Sequence, residues 1–128
     1  MLVLAVDDDD DDLDILKDTL AKIHPSITCI TARNGHEALN YMTGDIIALP
    51  DIIFLDINMP GMTGRDTLVA LRSIQTFQKI KIVMFSTSIS PNDRQLFHQY
   101  NAEYEIKPSS ITSWSDVVSK KVEPYFLS

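Results

Sequence analysis

The stretch that decides the fold runs Asp51-Ile-Ile-Phe-Leu-Asp56-Ile-Asn-Met-Pro-Gly-Met-Thr-Gly64. Four consecutive apolar residues stand between two aspartates, and a Pro-Gly turn follows. Continuous apolar character, without alternating polar residues, is typical of a strand that is covered on both faces, as in a parallel sheet. The stretch therefore predicts a buried strand over Ile52–Leu55 that ends at an acidic side chain, Asp56.

Further short apolar runs repeat this pattern along the chain. They span residues 2–6, 27–31, 80–85 and, more weakly, 103–106. Segments with helical periodicity lie between them; the first carries an apolar stripe that Pro25 ends. Alternation of strand and helix, repeated five times, predicts an α/β, doubly wound (βα)5 fold. We expect a flavodoxin-like parallel sheet of five strands in the order 2-1-3-4-5.

Several helix starts carry a capping signal. Residues 34–37 have the spacing of a capping box, in which the first side chain accepts a backbone hydrogen bond and the fourth reaches back. Residues 63–66 and 113–116 are weaker versions of the same signal. Ser90-Pro91-Asn92-Asp93 is the best start, because it joins an N-cap, a proline at the first helical position and an acid.

Composition excludes two classes of partner and indicates a compartment. The net charge is −7, whereas a DNA or RNA surface needs clustered Lys and Arg, so we expect no nucleic-acid partner. No apolar run approaches the roughly 18 residues that span a membrane, and we expect no membrane association. The single cysteine, Cys29, cannot form an intrachain disulfide, which predicts a reducing, cytoplasmic setting.

Polar side chains follow four of the predicted strands. They are Asp7 and Asp8 after the first, Asp56 after the third, Ser86 after the fourth and Lys107 after the fifth. Because ligands bind at the carboxyl ends of strands in open α/β sheets, we expect these groups to share one pocket. Three neighbouring carboxylates require a cation or a raised pKa, and an all-oxygen site suits Mg²⁺. One carboxylate can then act as a nucleophile toward a phosphoryl group, assisted by the lysine and the hydroxyl.

Four motifs together resemble the receiver domain of two-component response regulators. They are Val6-Asp7-Asp8, residues 51–64, Phe85-Ser86-Thr87 and Ile106-Lys107-Pro108, and their order and spacing match over essentially the whole chain. The resemblance implies a chemotaxis-regulator-like, stand-alone receiver over residues 1–128, without an output domain.

The resemblance also implies a role for each matching residue. Asp56 would be phosphorylated, Ser86 would bond the phosphoryl group and Lys107 would pair with it. Ser86 and Tyr104 would form the switch that remodels the surface of helix four, strand five and helix five. The implied Mg²⁺ ligands are Asp7, Asp8, Asp56 and the backbone carbonyl of Asn58.

Some positions stay open. Strand alternation alone leaves Ser88 as an alternative to Ser86. Asp9 is a further candidate at the rim of the pocket, whereas Asp10 to Asp12 are expected to start the first helix, where acids favour the dipole. The usual family glycine before the fifth strand is missing, and the segment Asn101-Ala102-Glu103-Tyr104 is one residue shorter than the common form.

The implied function is a phosphoacceptor switch in a phosphorelay. Its phosphodonor would be a histidine kinase or a histidine-phosphotransfer protein, and its output would be docking to a downstream protein target. We expect no enzyme activity beyond its own phosphorylation and dephosphorylation. The alternative is a Mg²⁺-dependent phosphohydrolase of the haloacid-dehalogenase type, although Asn58 stands where those enzymes place a second aspartate. An FMN-carrying flavodoxin is weaker, because carboxylates would face an anionic phosphate.

Overall fold

The computed structural model describes residues 1–46 and 48–127, in which β strands and α helices alternate. The strands are β1 (Leu2–Val6), β2 (Thr28–Ala32), β3 (Ile52–Leu55), β4 (Lys81–Ser86) and β5 (Glu103–Ile106). The helices are α1 (Asp10–Ile23), α2 (Gly35–Thr43), α3 (Gly64–Arg72), α4 (Pro91–Gln99) and α5 (Ile111–Val122). Single 3-10 turns over Gln75–Phe77 and Glu123–Tyr125 follow α3 and α5.

The strands form one parallel sheet in the order β2-β1-β3-β4-β5, which confirms the predicted topology. Three strands have the predicted bounds, but β2 and β4 each begin and end one residue later than predicted. The N–H of Ile27 donates to the His24 carbonyl and that of Ile80 to the Phe77 carbonyl. Both residues therefore belong to turns, although their apolar side chains match those of the strands.

The sheet is covered on both faces, as its continuous apolar strands require. On one face Leu4, Ile53 and Leu55 pack in a cluster with residues of α2, α3 and α4. On the other face, Val3, Ala5 and Phe54 pack in a cluster with residues of α1 and α5. Two apolar layers around a central sheet hold the strand ends in fixed positions, and the site is built on those ends.

Helix starts agree with most of the capping signals. Residues 63–66 and 90–93 form complete capping boxes, and Asn34 caps α2 without the reciprocal backbone bond. The start predicted at Ser113 is wrong, because α5 already begins at Ile111. Ser113 donates its N–H to the Ser110 carbonyl and is thus inside the first turn.

The connection from α4 to β5 depends on Asn101. Its φ of 53° is left-handed, a conformation that asparagine tolerates better than most residues. Asn101 therefore supplies a left-handed residue just before β5 although no glycine is present there.

Within the two described ranges, no helix is both long enough and apolar enough to cross a membrane.

Candidate functional site

The predicted site residues lie at the carboxyl edge of the sheet, just beyond the strands. Backbone hydrogen bonds extend the sheet by one residue there. The N–H of Asp56 donates to the Val6 carbonyl at 2.9 Å, and the N–H of Lys107 donates to the Ser86 carbonyl at 2.8 Å. In the same way, the N–H of Asp7 donates to the Ala32 carbonyl at 3.0 Å. The side chains of the site are therefore fixed by the sheet itself and do not depend on a flexible loop.

Three carboxylates converge at this edge. Asp7, Asp8 and Asp56 each offer one oxygen, and these oxygens lie within 4.8 Å of one another. Asp7 and Asp56 are buried, whereas Asp8 is exposed. An all-oxygen set of this charge, open to solvent on one side, fits Mg²⁺, which binds through carboxylates and retains waters.

Burial changes the acidity of the two inner carboxylates. It raises the pKa of Asp7 to about 6, against the lowering effect of a hydrogen bond from Lys107. It also raises the pKa of Asp56, although the Lys107 charge and the Ser86 hydroxyl oppose the shift. The charge of Asp8 adds to the increase at Asp56. The site thus holds negative charge at a cost that a bound cation would relieve.

Lys107 is the positive charge inside this cluster, and it is only 9% exposed. Its Nζ lies 2.5 Å from Asp7, 2.8 Å from Asp12 and 3.5 Å from Asp56. Burial lowers the pKa of Lys107, but the hydrogen bonds to Asp12 and Asp7 outweigh that effect and raise it above the usual value. The lysine is therefore charged and is shared among three carboxylates.

Asp12 is the residue that sequence reasoning missed. The prediction that Asp10 to Asp12 start the first helix is correct, because α1 begins at Asp10. The carboxylate of Asp12, however, turns to the site and accepts a hydrogen bond from Lys107. Asp9, a candidate for the pocket rim, instead caps α1 by accepting from the N–H groups of Asp11 and Asp12.

Ser86 ends β4 beside the phosphoacceptor candidate and is 1% exposed. Its hydroxyl is close enough to Asp56 to lower the pKa of that carboxyl. Ser88 is exposed beyond the end of the strand. The buried hydroxyl beside Asp56 is accordingly that of Ser86.

The remaining predicted residues lie outside this cluster. Asn58 is exposed in the connection between β3 and α3, two residues beyond Asp56. Tyr104 on β5 is 40% exposed, with the Arg94 guanidinium 5.9 Å from its ring centroid and the Phe97 ring at 6.2 Å. The tyrosine thus lies at the surface between α4 and β5.

The arrangement combines a nucleophile, two kinds of hydrogen-bond donor and a cation site. Asp56 offers a carboxylate oxygen, and the Lys107 ammonium and Ser86 hydroxyl stand beside it. Such groups can stabilise the oxygens of a phosphoryl group that is transferred to the carboxylate.

Comparisons with known proteins agree with this chemistry. The sequence profile of the response regulator receiver domain matches residues 3–121. The Helicobacter pylori sensor histidine kinase CheAY is 31% identical over 124 residues, which are 95% of this chain and 15% of that protein. The Escherichia coli transcriptional regulatory protein CpxR is 36% identical over 107 residues, 83% of this chain and 42% of CpxR. The chain spans 15%, 40% and 63% of the length of three curated relatives.

Solved structures show the same fold. The phosphorylated cyanobacterial phytochrome response regulator RcpA superposes with a TM-score of 0.88 at 27% identity, over 98% of this chain and 93% of RcpA. The Vibrio cholerae chemotaxis protein CheY4 superposes with a TM-score of 0.78 at 29% identity, over 93% of this chain and 96% of CheY4. These matches do not favour the phosphohydrolase alternative.

Proposed function

This chain belongs to the response regulator receiver family, and we propose that Asp56 is the residue on which it accepts a phosphoryl group. One observation carries the assignment. Asp56 is a buried carboxylate at the end of the central strand β3, within a cluster of acids and 3.5 Å from a buried ammonium. Receiver domains are signalling domains, and the activity proposed for this one is limited to gain and loss of its own phosphoryl group.

The proposed reaction is a phosphoryl transfer. An oxygen of the Asp56 carboxylate forms a bond to phosphorus while the bond from phosphorus to a donor nitrogen, that of a phosphohistidine, breaks. The bonding electrons stay on the imidazole, which then takes up a proton. Lys107 and Ser86 would donate hydrogen bonds to the phosphoryl oxygens, the interactions on which most phosphoryl-transfer catalysis depends.

Receiver domains generally bind Mg²⁺ at an acidic cluster. Here the proposed ligands are Asp7, acting mainly through water, the carboxylates of Asp8 and Asp56, and the backbone carbonyl of Asn58. Bound Mg²⁺ would neutralise the crowded carboxylates and the charge of the transferring phosphoryl group. Burial of Asp7 and Asp56 supports this assignment, because it makes their ionised forms costly without a cation.

The proposed output is a change in the surface formed by α4, β5 and α5. Ser86 would move toward the phosphoryl group, and Tyr104 would turn inward from its half-exposed position. The exposure of Tyr104, Ile106 and Ile111 supports a docking role, since all three are large apolar side chains on this surface. The partners would be a histidine kinase or histidine-phosphotransfer protein as donor and a downstream protein as target, in the cytoplasm.

Mass spectrometry of the intact protein tests this proposal. Incubation with acetyl phosphate and Mg²⁺ should add one phosphoryl group to the wild type and none to Asp56→Asn. Asp14→Asn is the matched control, because Asp14 is an exposed aspartate on α1. EDTA should prevent the gain in the wild type and in Asp14→Asn. An Asp56→Asn protein that is still phosphorylated would refute the assignment.

A further inference from the structure

Lys107 contacts two of the carboxylates that could also bind a metal ion. The lysine Nζ lies 2.5 Å from Asp7 and 3.5 Å from Asp56. Both residues belong to the group of three carboxylates that can hold a cation. A cation bound there would share these two carboxylates with Lys107 and weaken its pairing with them.

A buried ammonium cannot give up its partners without cost. The Lys107 side chain is 6% exposed, so water replaces only a small part of what the carboxylates supply. Removing the partner of a buried charge is strongly unfavourable, because the remaining charge is neither solvated nor paired. A further carboxylate that contacts Lys107 without binding the cation would lower this cost.

Asp12 meets that requirement. Its carboxylate lies 2.8 Å from Lys107 Nζ and is outside the group of Asp7, Asp8 and Asp56. It is held in place because it lies in the first turn of α1, whose N-cap Asp9 accepts from the Asp12 N–H. We propose that Asp12 is a positioning residue that keeps Lys107 paired when Mg²⁺ draws on the carboxylate of Asp56 and, through water, on that of Asp7, and so raises the affinity of the site for Mg²⁺. This inference rests on the proposed function of the site.

If Asp12 served only to stabilise the start of α1, a different result would be expected. Acids in the first turn of a helix stabilise it through the dipole, and Asp10 and Asp11 would share that effect. Asp11 is the matched control: it lies in the same turn, carries the same charge and is exposed, and no ion pair is found for its side chain within the described residues. Asp12→Asn and Asp11→Asn therefore change the net charge equally, but only the first removes a contact to Lys107.

Isothermal titration calorimetry with MgCl₂ tests the proposal on the intact chain. Asp12→Asn should raise the Kd for Mg²⁺ by about five- to tenfold, the scale of one partly buried charge pair. Asp11→Asn should raise it by less than about twofold, because solvent and salt screen an exposed charge. Asp12→Glu, which keeps the charge on a flexible side chain, should restore most of the affinity.

A double-mutant cycle separates action through Lys107 from a direct effect on the metal. In a Lys107→Met background, Asp12→Asn should raise the Kd no more than Asp11→Asn does. Circular dichroism of each variant checks that it is folded. If Lys107→Met does not fold, the Kd values of Asp12→Asn, Asp12→Glu and Asp11→Asn alone test the role of Asp12.

The outcomes distinguish this proposal from the function on which it rests. If the wild type binds no Mg²⁺, the proposed metal site is wrong, and the role of Asp12 with it. If the wild type binds Mg²⁺ but Asp12→Asn and Asp11→Asn have equal Kd values, only the role of Asp12 is overturned. An undiminished effect of Asp12→Asn in the Lys107→Met background would also overturn it.

Discussion

Arg65 on α3 and Asp93 on α4 form a two-point ion pair, with Nε to Oδ1 at 2.6 Å and Nη2 to Oδ2 at 3.1 Å. Arg65 lies at the start of α3, after the connection that begins at Asp56. Asp93 lies at the start of α4, after the connection that begins at the end of β4, next to Ser86. Asp93 is buried and also completes the capping box of Ser90. One carboxylate therefore ties together the two segments that leave the site.

We expect Asp93→Asn to lower the free energy of unfolding by about 1–3 kcal/mol, because Arg65 loses its charged partner and α4 loses part of its cap. Asp66→Asn is the control, since Asp66 holds the same capping-box position on α3 but is exposed. Asp66→Asn should lower the free energy of unfolding by less than about 1 kcal/mol. Urea denaturation of both variants measures the difference, and equal losses would show that the ion pair adds nothing.

The same pair predicts a pH dependence. Hydrogen bonds from Arg65 hold the pKa of Asp93 below its usual value. The stabilisation is therefore complete above the ordinary aspartate pKa and is lost as the pH falls through the lower pKa of the folded protein. The stability gap between wild type and Asp93→Asn should persist at pH 5 and narrow only in stronger acid. A gap that closes above pH 5 would contradict this.

Gly64 should not tolerate a side chain. A Cβ at this position would collide with the backbone of Asp56 and Ile57, and neither can move without shifting the strand end. Gly64→Ala is expected to lower the free energy of unfolding by about 3 kcal/mol or more, at or above the upper end of the usual range for overpacked sites. Gly61→Ala is the comparison, because Gly61 has a φ of 75° but open space around it. Its cost should be near 1–2 kcal/mol from backbone strain alone, and equal losses in thermal melts would refute the close approach.

The metal-free protein should lose stability as the pH rises from about 4 to 6. Burial raises the pKa of Asp7 to about 6, so in this window the folded state holds a proton that the unfolded state has released. Unfolding free energies measured in EDTA should fall by on the order of 1–3 kcal/mol across the window, and Asp7→Asn should remove most of this slope. A wild type that is most stable at pH 6 would contradict the raised pKa.

Mg²⁺ should raise the melting temperature of the wild type, because the proposed metal site exists in the folded chain and not in the unfolded chain. Asp8→Asn should make the metal-free protein more stable, since it relieves repulsion from Asp56, and should abolish the effect of Mg²⁺. Thermal melts with EDTA and with MgCl₂ measure both effects. A metal-free Asp8→Asn protein no more stable than wild type would count against crowded carboxylates.

The sequence predicts the sheet well because its signals are local. Continuous apolar runs predict the strands, and the ends of two runs place Asp56 and Lys107 directly after β3 and β5. The predicted element boundaries are wrong at Ile27, Ile80 and Ser113. At each of these residues a backbone hydrogen bond decides whether the residue belongs to a turn, a strand or a helix, and the pattern of side chains does not reveal that bond. Strand and helix ends were therefore less predictable than strand identity.

The contact between Asp12 and Lys107 could not be predicted in this way. The two residues are 95 positions apart, and their contact depends on how α1 packs over the end of the sheet. In the sequence Asp12 is one of six consecutive aspartates. An aspartate at this position is accounted for equally well by a place in the first turn of a helix and by a place in the site. Only the packed structure separates it from Asp11.

Reductive trapping tests the central claim most directly. Borohydride reduces an aspartyl phosphate to homoserine and leaves free carboxylates unchanged, so peptide mass mapping after phosphorylation identifies the modified position. After treatment with acetyl phosphate and Mg²⁺, we predict homoserine at position 56 and at no other aspartate. Homoserine at position 7 or 8, or its formation elsewhere in an Asp56→Asn protein, would contradict the assignment of Asp56 as the phosphoacceptor.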